Sequence, residues 1–277
     1  NTGRYILGNL YDFDCRHDKV PYGEMEEMDR WILHRLQEIV QRVRKAYDEY
    51  QFHVVYYTIY NFCTVDLSSL YLDVSKDRMY TAKAKSKARR SAQSAMYIIL
   101  DTLVRLLAPI LTFTADEIWN AMPEYEDKAV SVHLTQFPDV NPEFLNEKIK
   151  EAWKTLIAVR GEVSKAIEKA RKNKVIGHSL DARVDLYAPE KLRRFLADRR
   201  EDLKVLNIVS QVNILDRDDL EEPYVSSEIE GLKVGVSKAS GAKCQRCWMY
   251  SETVGKDAVH TTICDRCLAN LSAEAPL

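Results

Sequence analysis

Between positions 24 and 50, apolar residues recur every three or four places: Met25, Met28, Ile32, Leu36, Ile39, Val43 and Ala46. That period predicts a long helix with one face turned to a core. The stretch 53–72 is unusually aromatic and β-branched yet shows no strict alternation, so its length predicts a buried helix rather than a strand. A third helix is predicted over 83–107, with Ala92, Met96, Ile99, Leu103 and Leu106 on one face and Pro109 just past its end. A fourth, over 114–122, carries Asp116 and Glu117 in its first turn, where carboxylates complement the helix dipole. The first residues after Asn1 also read as helical. Together these segments predict a helical bundle.

The pattern changes near Pro123, Pro138 and Pro142, which with several acids mark a connector over 124–143 containing a strand-like stretch at 131–134. One more long helix is predicted over 147–172, striped by Trp153, Leu156, Ile157, Val163 and Ile167. Beyond it come a strand at 182–187, a helix over 189–196 with Pro189 in its first turn, a short helix near Leu203, and strands at 207–215 and 232–236. The fold class is therefore mainly α: a bundle over 1–140, a helix plus small α+β junction over 141–240, and a compact tail over 241–277.

Composition refines this picture in three ways. Nine glycines in 277 residues are few, which favours long helices over sheets with many tight turns. The longest clean apolar runs, such as 96–100, meet a charge within one or two turns, far short of the roughly 20 residues a bilayer requires. No signal peptide opens the chain. The first residue is asparagine rather than methionine, which reads as a piece of a longer chain. Forty Lys and Arg against 42 Asp and Glu give a net charge of -2, so any polyanion must be met by local basic patches.

Cysteine placement carries the strongest chemical signal. Cys244, Cys247, Cys264 and Cys267 form two Cys-x-x-Cys pairs separated by 16 residues. Two residues between thiols let both sulfurs converge on one ion, and two such turns complete the closed tetrahedral thiolate shell of a structural zinc. The alternatives are two disulfides or a redox pair. A redox motif occurs once, beside a βαβ pattern that this tail lacks, and no secretory segment argues for oxidation. His260, four residues before Cys264, is a competing ligand candidate, but four thiolates already fill the shell. Cys63 is expected to be a buried small hydrophobe, and Cys15 to be exposed.

Seven basic residues, Lys76, Arg78, Lys83, Lys85, Lys87, Arg89 and Arg90, lie between positions 76 and 90 against the single acid Asp77, with Tyr71 and Tyr80 at the flanks. Aromatics among cations suit single-stranded nucleic acid, since bases stack on rings while cations meet phosphates; a solvated helix start is the plainer reading. A second basic run, 165–174, is diluted by Glu168 and reads as an exposed face. Arg246 lies between the first two zinc ligands and Trp248 directly follows the second. On a rigid turn, these side chains either meet an unpaired base or, for Trp248, pack beneath the turn as its core. No phosphate loop, nucleophile elbow or zinc-protease motif is present, and no catalytic constellation is identified.

These residues bring a family into view. The sequences NTGRYILGNLYDF (1–13), VPYGEMEEMDRWILHRL (20–36), NFCTVDLSSLYLDVSKDRMY (61–80), KVIGHSLDARV (174–184), KCQRCWMYSE (243–252) and ICDRC (263–267) resemble the C-terminal part of bacterial-type isoleucyl-tRNA synthetases. The resemblance covers nearly the whole chain. Leu70 stands where the family usually has Phe, and Met79 where Leu is common.

The resemblance implies a tRNA-reading module for tRNA(Ile) and its anticodon stem-loop, with Arg246, Trp248, Lys76, Arg78, Lys85, Arg89 and Arg90 as the candidate contacts and one Zn²⁺ on the four cysteines. It implies that ATP and the catalytic and editing domains belong to another part of the same polypeptide, a monomeric cytoplasmic ligase without a membrane partner. The family's His-Ile-Gly-His and Lys-Met-Ser-Lys-Ser signatures are absent. Ile176, Gly177 and His178 follow Val175 rather than His, so they are not the catalytic motif. The rival readings are a zinc-stapled protein-interaction scaffold and a DNA-repair glycosylase-type zinc-finger protein.

Overall fold

A computed structural model describes residues 1–271. Its contacts divide the chain into two compact units, Asn1–Glu151 and Ala152–Leu277.

The first unit is the helical bundle. It comprises α1 (Thr2–Asn9), α2 (Glu27–Asp48), α3 (Phe52–Asn61), α4 (Leu72–Thr81), α5 (Lys87–Leu107) and α6 (Thr112–Ala121). Between α3 and α4 the chain stays helical but widens to a π register over Phe62–Tyr71. The hydroxyls there take up loosened carbonyls: Ser68 Oγ donates to Cys63 O at 2.7 Å and Ser69 Oγ to Val65 O at 2.7 Å. Ile32, Leu33, Leu36 and Val43 of α2 and Met96, Ile99, Leu100 and Leu106 of α5 are almost wholly buried, together with Phe62, Leu67 and Trp119. The three- and four-residue periods of α2 and α5 thus produce their core stripes as the sequence predicts.

Four expectations change in this unit. The 53–72 stretch is helical but not buried all round, because Tyr56, Tyr57 and Tyr60 face outward. The rings of Tyr56 and Tyr60 stack with centroids 5.7 Å apart. Cys63 is only half-buried, whereas Cys15, expected at the surface, is buried. The predicted strand at 131–134 is instead a short 3-10 turn, Val132–Leu134. Asp116 explains that turn: its Oδ1 accepts from Ser131 Oγ at 2.6 Å and Val132 N at 3.0 Å, giving the backbone a side-chain partner in place of a neighbouring strand. The rest of the connector is stitched to α2 by two buried polar side chains. Gln37 Oε1 accepts from Asn141 N at 2.7 Å, and His34 Nδ1 from Asn146 N at 2.9 Å.

A long helix, α7 (Glu147–Lys172), enters the second unit, where Trp153, Leu156, Val159 and Val163 are buried. There follow β1 (Ala182–Tyr187), α8 (Glu190–Ala197), α9 (Arg200–Asn207), β2 (Gln211–Leu215), β3 (Tyr224–Val225) and β4 (Lys233–Lys238). The strands form one sheet in the order β2-β1-β4-β3. β1 runs parallel to β2, from Arg183 opposite Gln211 to Tyr187 opposite Leu215, and antiparallel to β4. The helical pair α8–α9 makes the crossover that a parallel pair requires. The tail folds as a small hairpin, β5 (Ala242–Lys243) with β6 (Tyr250–Ser251), followed by α10 (Asp265–Leu271). The last six residues of the tail lie outside the described residues. Among the described residues, no helix is long and apolar enough to cross a membrane.

Candidate functional site

The tail is too short to build an ordinary hydrophobic core. Its buried centre is Cys244, Cys247, Met249, Cys264 and Cys267, with Leu180, Val254 and Ile263 packed on the outside. The β5–β6 hairpin positions the first cysteine pair. Cys244 N donates to Met249 O at 2.9 Å, and Trp248 N to Cys244 O at 2.9 Å, which curls the intervening residues into a tight turn. The hairpin enters through Gly241, whose φ is +87° and where an added Cβ would lie 2.3 Å from the Ser251 backbone, so any other residue forces the backbone to shift. The second pair sits at the start of α10, with Cys264 before its first residue and Cys267 inside it.

The four sulfurs lie within 4.8 Å of one another and are buried. Four thiolates about 2.3 Å from a tetrahedral zinc stand about 3.8 Å apart. The Cys247 and Cys264 sulfurs are separated by 3.8 Å, so this donor set fits a zinc ion. All four sulfurs converge on one point, and Cys247 and Cys264 stand far beyond the length of an S–S bond, the arrangement of a metal shell rather than of two disulfides. Burial pushes the Cys244 thiol up, but backbone N–H groups of Cys247, Cys264 and Arg246 outweigh it and hold the group down at about 6. Burial raises the Cys264 and Cys267 thiols. A dication among them would favour the thiolate form of all four. His260 is exposed and outside the cluster.

The two flanking candidates have separate fates. Trp248 does not pack beneath the turn: it is 61% exposed, and Met249 fills the inner position instead. Its φ is +65°, a left-handed conformation that bulky L-residues rarely adopt. An exposed indole is therefore held on a backbone that glycine would occupy more easily. Arg246 is half-buried, and its guanidinium donates to the Cys267 sulfur, opposing the effect of burial on that thiol.

The basic run 76–90 divides sharply. Arg78 meets Asp29, which is 0% exposed, in a bidentate pair, with Arg78 Nη1 donating to Asp29 Oδ2 at 2.8 Å. Tyr71, itself fully buried, donates its hydroxyl to Asp29 Oδ1 at 2.7 Å, and Ser91 Oγ donates to Oδ2. Burial opposes the Arg78 charge, but the Asp29 carboxylate outweighs it and raises the guanidinium's pKa. Arg89 forms a second fork, donating from Nη1 and Nη2 to Asp12 at 2.6 and 2.9 Å. It also holds the turn before α5 through Met79 O at 3.2 Å and Ala84 O at 2.9 Å. Arg90 donates to Asp12 O at 2.8 Å and Gln93 Oε1 at 2.7 Å, and pairs with Asp18 at 3.3 Å.

These three arginines and Tyr71 correct the expectation of a solvated, phosphate-facing run, because their polar ends are turned inward and bound. A planar guanidinium matches a carboxylate bidentately and carries its charge into a core more readily than an ammonium. Lys76, Lys85 and Tyr80 remain at the surface; Lys76 pairs with Asp73 at 2.8 Å. His178 is likewise structural: its Nδ1 accepts from Leu180 N at 3.3 Å and caps the turn Ser179–Asp181.

Two family models match. One, described as "Zinc finger found in FPG and IleRS", covers residues 241–270, and the other, "Anticodon-binding domain of tRNA ligase", covers 29–186. Among similar curated proteins, the isoleucine–tRNA ligase of Geobacter sulfurreducens is 48% identical over 97% of this chain and 29% of its own length. That of Moorella thermoacetica is 49% identical over 96% of this chain and 29% of its own length. For Caldanaerobacter subterraneus subsp. tengcongensis the figures are 48%, 99% and 30%. The chain thus spans less than a third of these relatives, and the region it spans is their C-terminal part. The zinc-finger match and the cysteine geometry agree on one structural Zn²⁺. With the anticodon-binding match extending over more than half of its residues, the chain belongs to the family of anticodon-binding domains of tRNA ligases.

Proposed function

We propose that this chain is the tRNA-reading part of a cytoplasmic, monomeric isoleucine–tRNA ligase, and that it binds the anticodon stem-loop of tRNA(Ile). The ligase would join isoleucine to its tRNA with ATP in catalytic and editing domains elsewhere in the polypeptide. This part would orient the tRNA and carry out no chemistry of its own. In that polypeptide, residues 1–140 would serve as the helical anticodon-binding domain, 141–240 as the junction and 241–277 as the zinc module.

The observation that carries the reading is Trp248: an exposed indole on a left-handed turn between zinc ligands and a hairpin strand. Rigid aromatic faces of this kind stack on unpaired bases. Arg246 would add hydrogen bonds through its planar guanidinium. Lys76 and Lys85, exposed members of the basic run, would meet phosphates.

Replacing Trp248 by Gly tests this, because glycine suits the turn and keeps it folded. Loss of the stacked ring is expected to weaken tRNA binding by about 1–3 kcal/mol with zinc content unchanged. Unchanged tRNA affinity with a metal-loaded knuckle would refute the assignment.

A further inference from the structure

The second basic run, which in sequence reads as an ordinary helix surface, becomes part of a cavity in the second unit. The last turn of α7 supplies Arg171 and Lys172, the turn after it supplies Lys174, β4 supplies Lys238 at its end, and the zinc-module strand β6 supplies Tyr250. The cavity holds about 590 Å³. Its position follows from the fold. Lys238 lies opposite Ala182 in the β1–β4 ladder, and Ala239 N donates to Asp181 O at 2.7 Å, which carries the end of β4 to the turn that α7 feeds. Tyr250 is fixed by its N–H, which donates to Ser210 Oγ at 2.7 Å.

The charges lining this cavity do not cancel. Glu168 is engaged by Arg171 at 2.7 Å, and the Asp181 carboxylate accepts from Gly177 N at 3.2 Å and His178 N at 2.8 Å. No carboxylate of the described residues pairs with Lys172, Lys174 or Lys238. Lys174 has φ +60°, at the left-handed closing position of α7, where Lys174 N donates to Arg171 O and Val175 N to Ala170 O. Glycine is the residue that adopts this position without strain. Lys174 and Trp248 share this property: in each, a functional type of side chain occupies a backbone conformation suited to glycine.

We propose that this groove binds the phosphodiester backbone of the RNA whose bases the zinc knuckle reads, with Lys172, Lys174 and Lys238 meeting phosphates and the Tyr250 ring forming the wall against the adjoining nucleotide. The proposal rests on the tRNA-reading function above and adds a second element to it. The knuckle supplies a stacking surface, and the groove supplies position and most of the salt dependence.

The test is tRNA(Ile) affinity as a function of salt, measured in the full-length polypeptide for wild type, Lys174→Gly, the triple variant Lys172→Gln/Lys174→Gly/Lys238→Gln, and Trp248→Gly. Each phosphate contact removed should lower the slope of log affinity against log salt by about one. Lys174→Gly should therefore reduce the slope by about one while raising the Tm, since it relieves the left-handed strain. The triple variant should reduce the slope by about three. Trp248→Gly should weaken binding at an unchanged slope.

If both groove variants keep the wild-type slope while Trp248→Gly weakens binding, the groove proposal falls and the knuckle reading stands. If the groove variants lose slope and Trp248→Gly changes nothing, the groove stands and the role of Trp248 falls. Wild-type binding without salt dependence overturns the groove outright.

Discussion

In the helical bundle the buried Asp29 carboxylate is neutralised by the bundle's own Arg78, whereas in the zinc knuckle four cysteines are buried that together call for a cation from outside. The difference is one of size. The bundle packs long stripes from α2 and α5 around its interior, and a carboxylate there can gather a guanidinium and two hydroxyls before the chain runs out of partners. The knuckle has Met249 and little else to bury, so its own ligands are its core. A large core tolerates ionic groups because neighbours complete their hydrogen bonds; a small one depends on a cation to hold its polar atoms together.

The sharpest way to break this contrast is to take away the metal. Chelation, or Cys264→Ser, is expected to unfold the tail over the hairpin and α10, forfeiting a metal-linked free energy of roughly 10–16 kcal/mol at neutral pH. Elemental analysis should give one zinc per wild-type chain and none in the variant. Hydrogen exchange should show protection lost from the knuckle and kept in α2 and α5. Loss of protection in the bundle as well would show that the two regions are not independent.

Next in size, Asp29→Asn leaves the largely buried Arg78 without a counter-charge and is expected to cost about 3 kcal/mol, read from the denaturant midpoint. Zinc content should stay at one. A loss below about 1 kcal/mol would mean that Arg78 escapes to solvent and that the buried pair is not a structural centre.

Gly241→Ala should cost roughly 1–3 kcal/mol, confined to the knuckle, because the φ is left-handed and the new methyl meets the Ser251 backbone. A weaker zinc affinity in competition with a chromophoric chelator would report it.

The smallest effect expected is at acid pH in the bundle. Burial raises the Asp12 carboxyl, but Arg89 and Gln93 outweigh it and hold the group below its ordinary value. A depressed carboxyl contributes stability that is complete above its unfolded-state pKa, near 3.8, and is lost as pH falls through the lower folded value. The Asp12→Asn variant should therefore show a shallower loss of stability below about pH 4 than wild type, in denaturant midpoints taken across that range. Identical slopes would remove Asp12 from the acid response.

Much of this arrangement was legible in the order of residues. The α7 and β1 segments lie where periodicity and alternation place them, and the four cysteines announce a metal by spacing alone, because ligand convergence at two-residue intervals is a local property of the turn. What the sequence concealed was direction. Arg78, Arg89 and Arg90 look like three members of a basic surface, yet their partners Asp29, Asp12 and Asp18 lie 49 to 77 residues away and are brought alongside only when the helices pack. The π register after α3 was equally hidden, since its hydroxyls look like any polar helix face.

The sequence by itself determined most of the helices, though not α4 or α10, and the mainly α class, the zinc ligands and the family, all of which follow from short-range patterns of period, spacing and motif. Only the tertiary structure decided which charges face water and which face carboxylates, whether Trp248 is core or surface, and that Lys174, Lys238 and Tyr250 line one groove. Those outcomes depend on contacts between residues far apart in the chain, and no local pattern carries the distance between them.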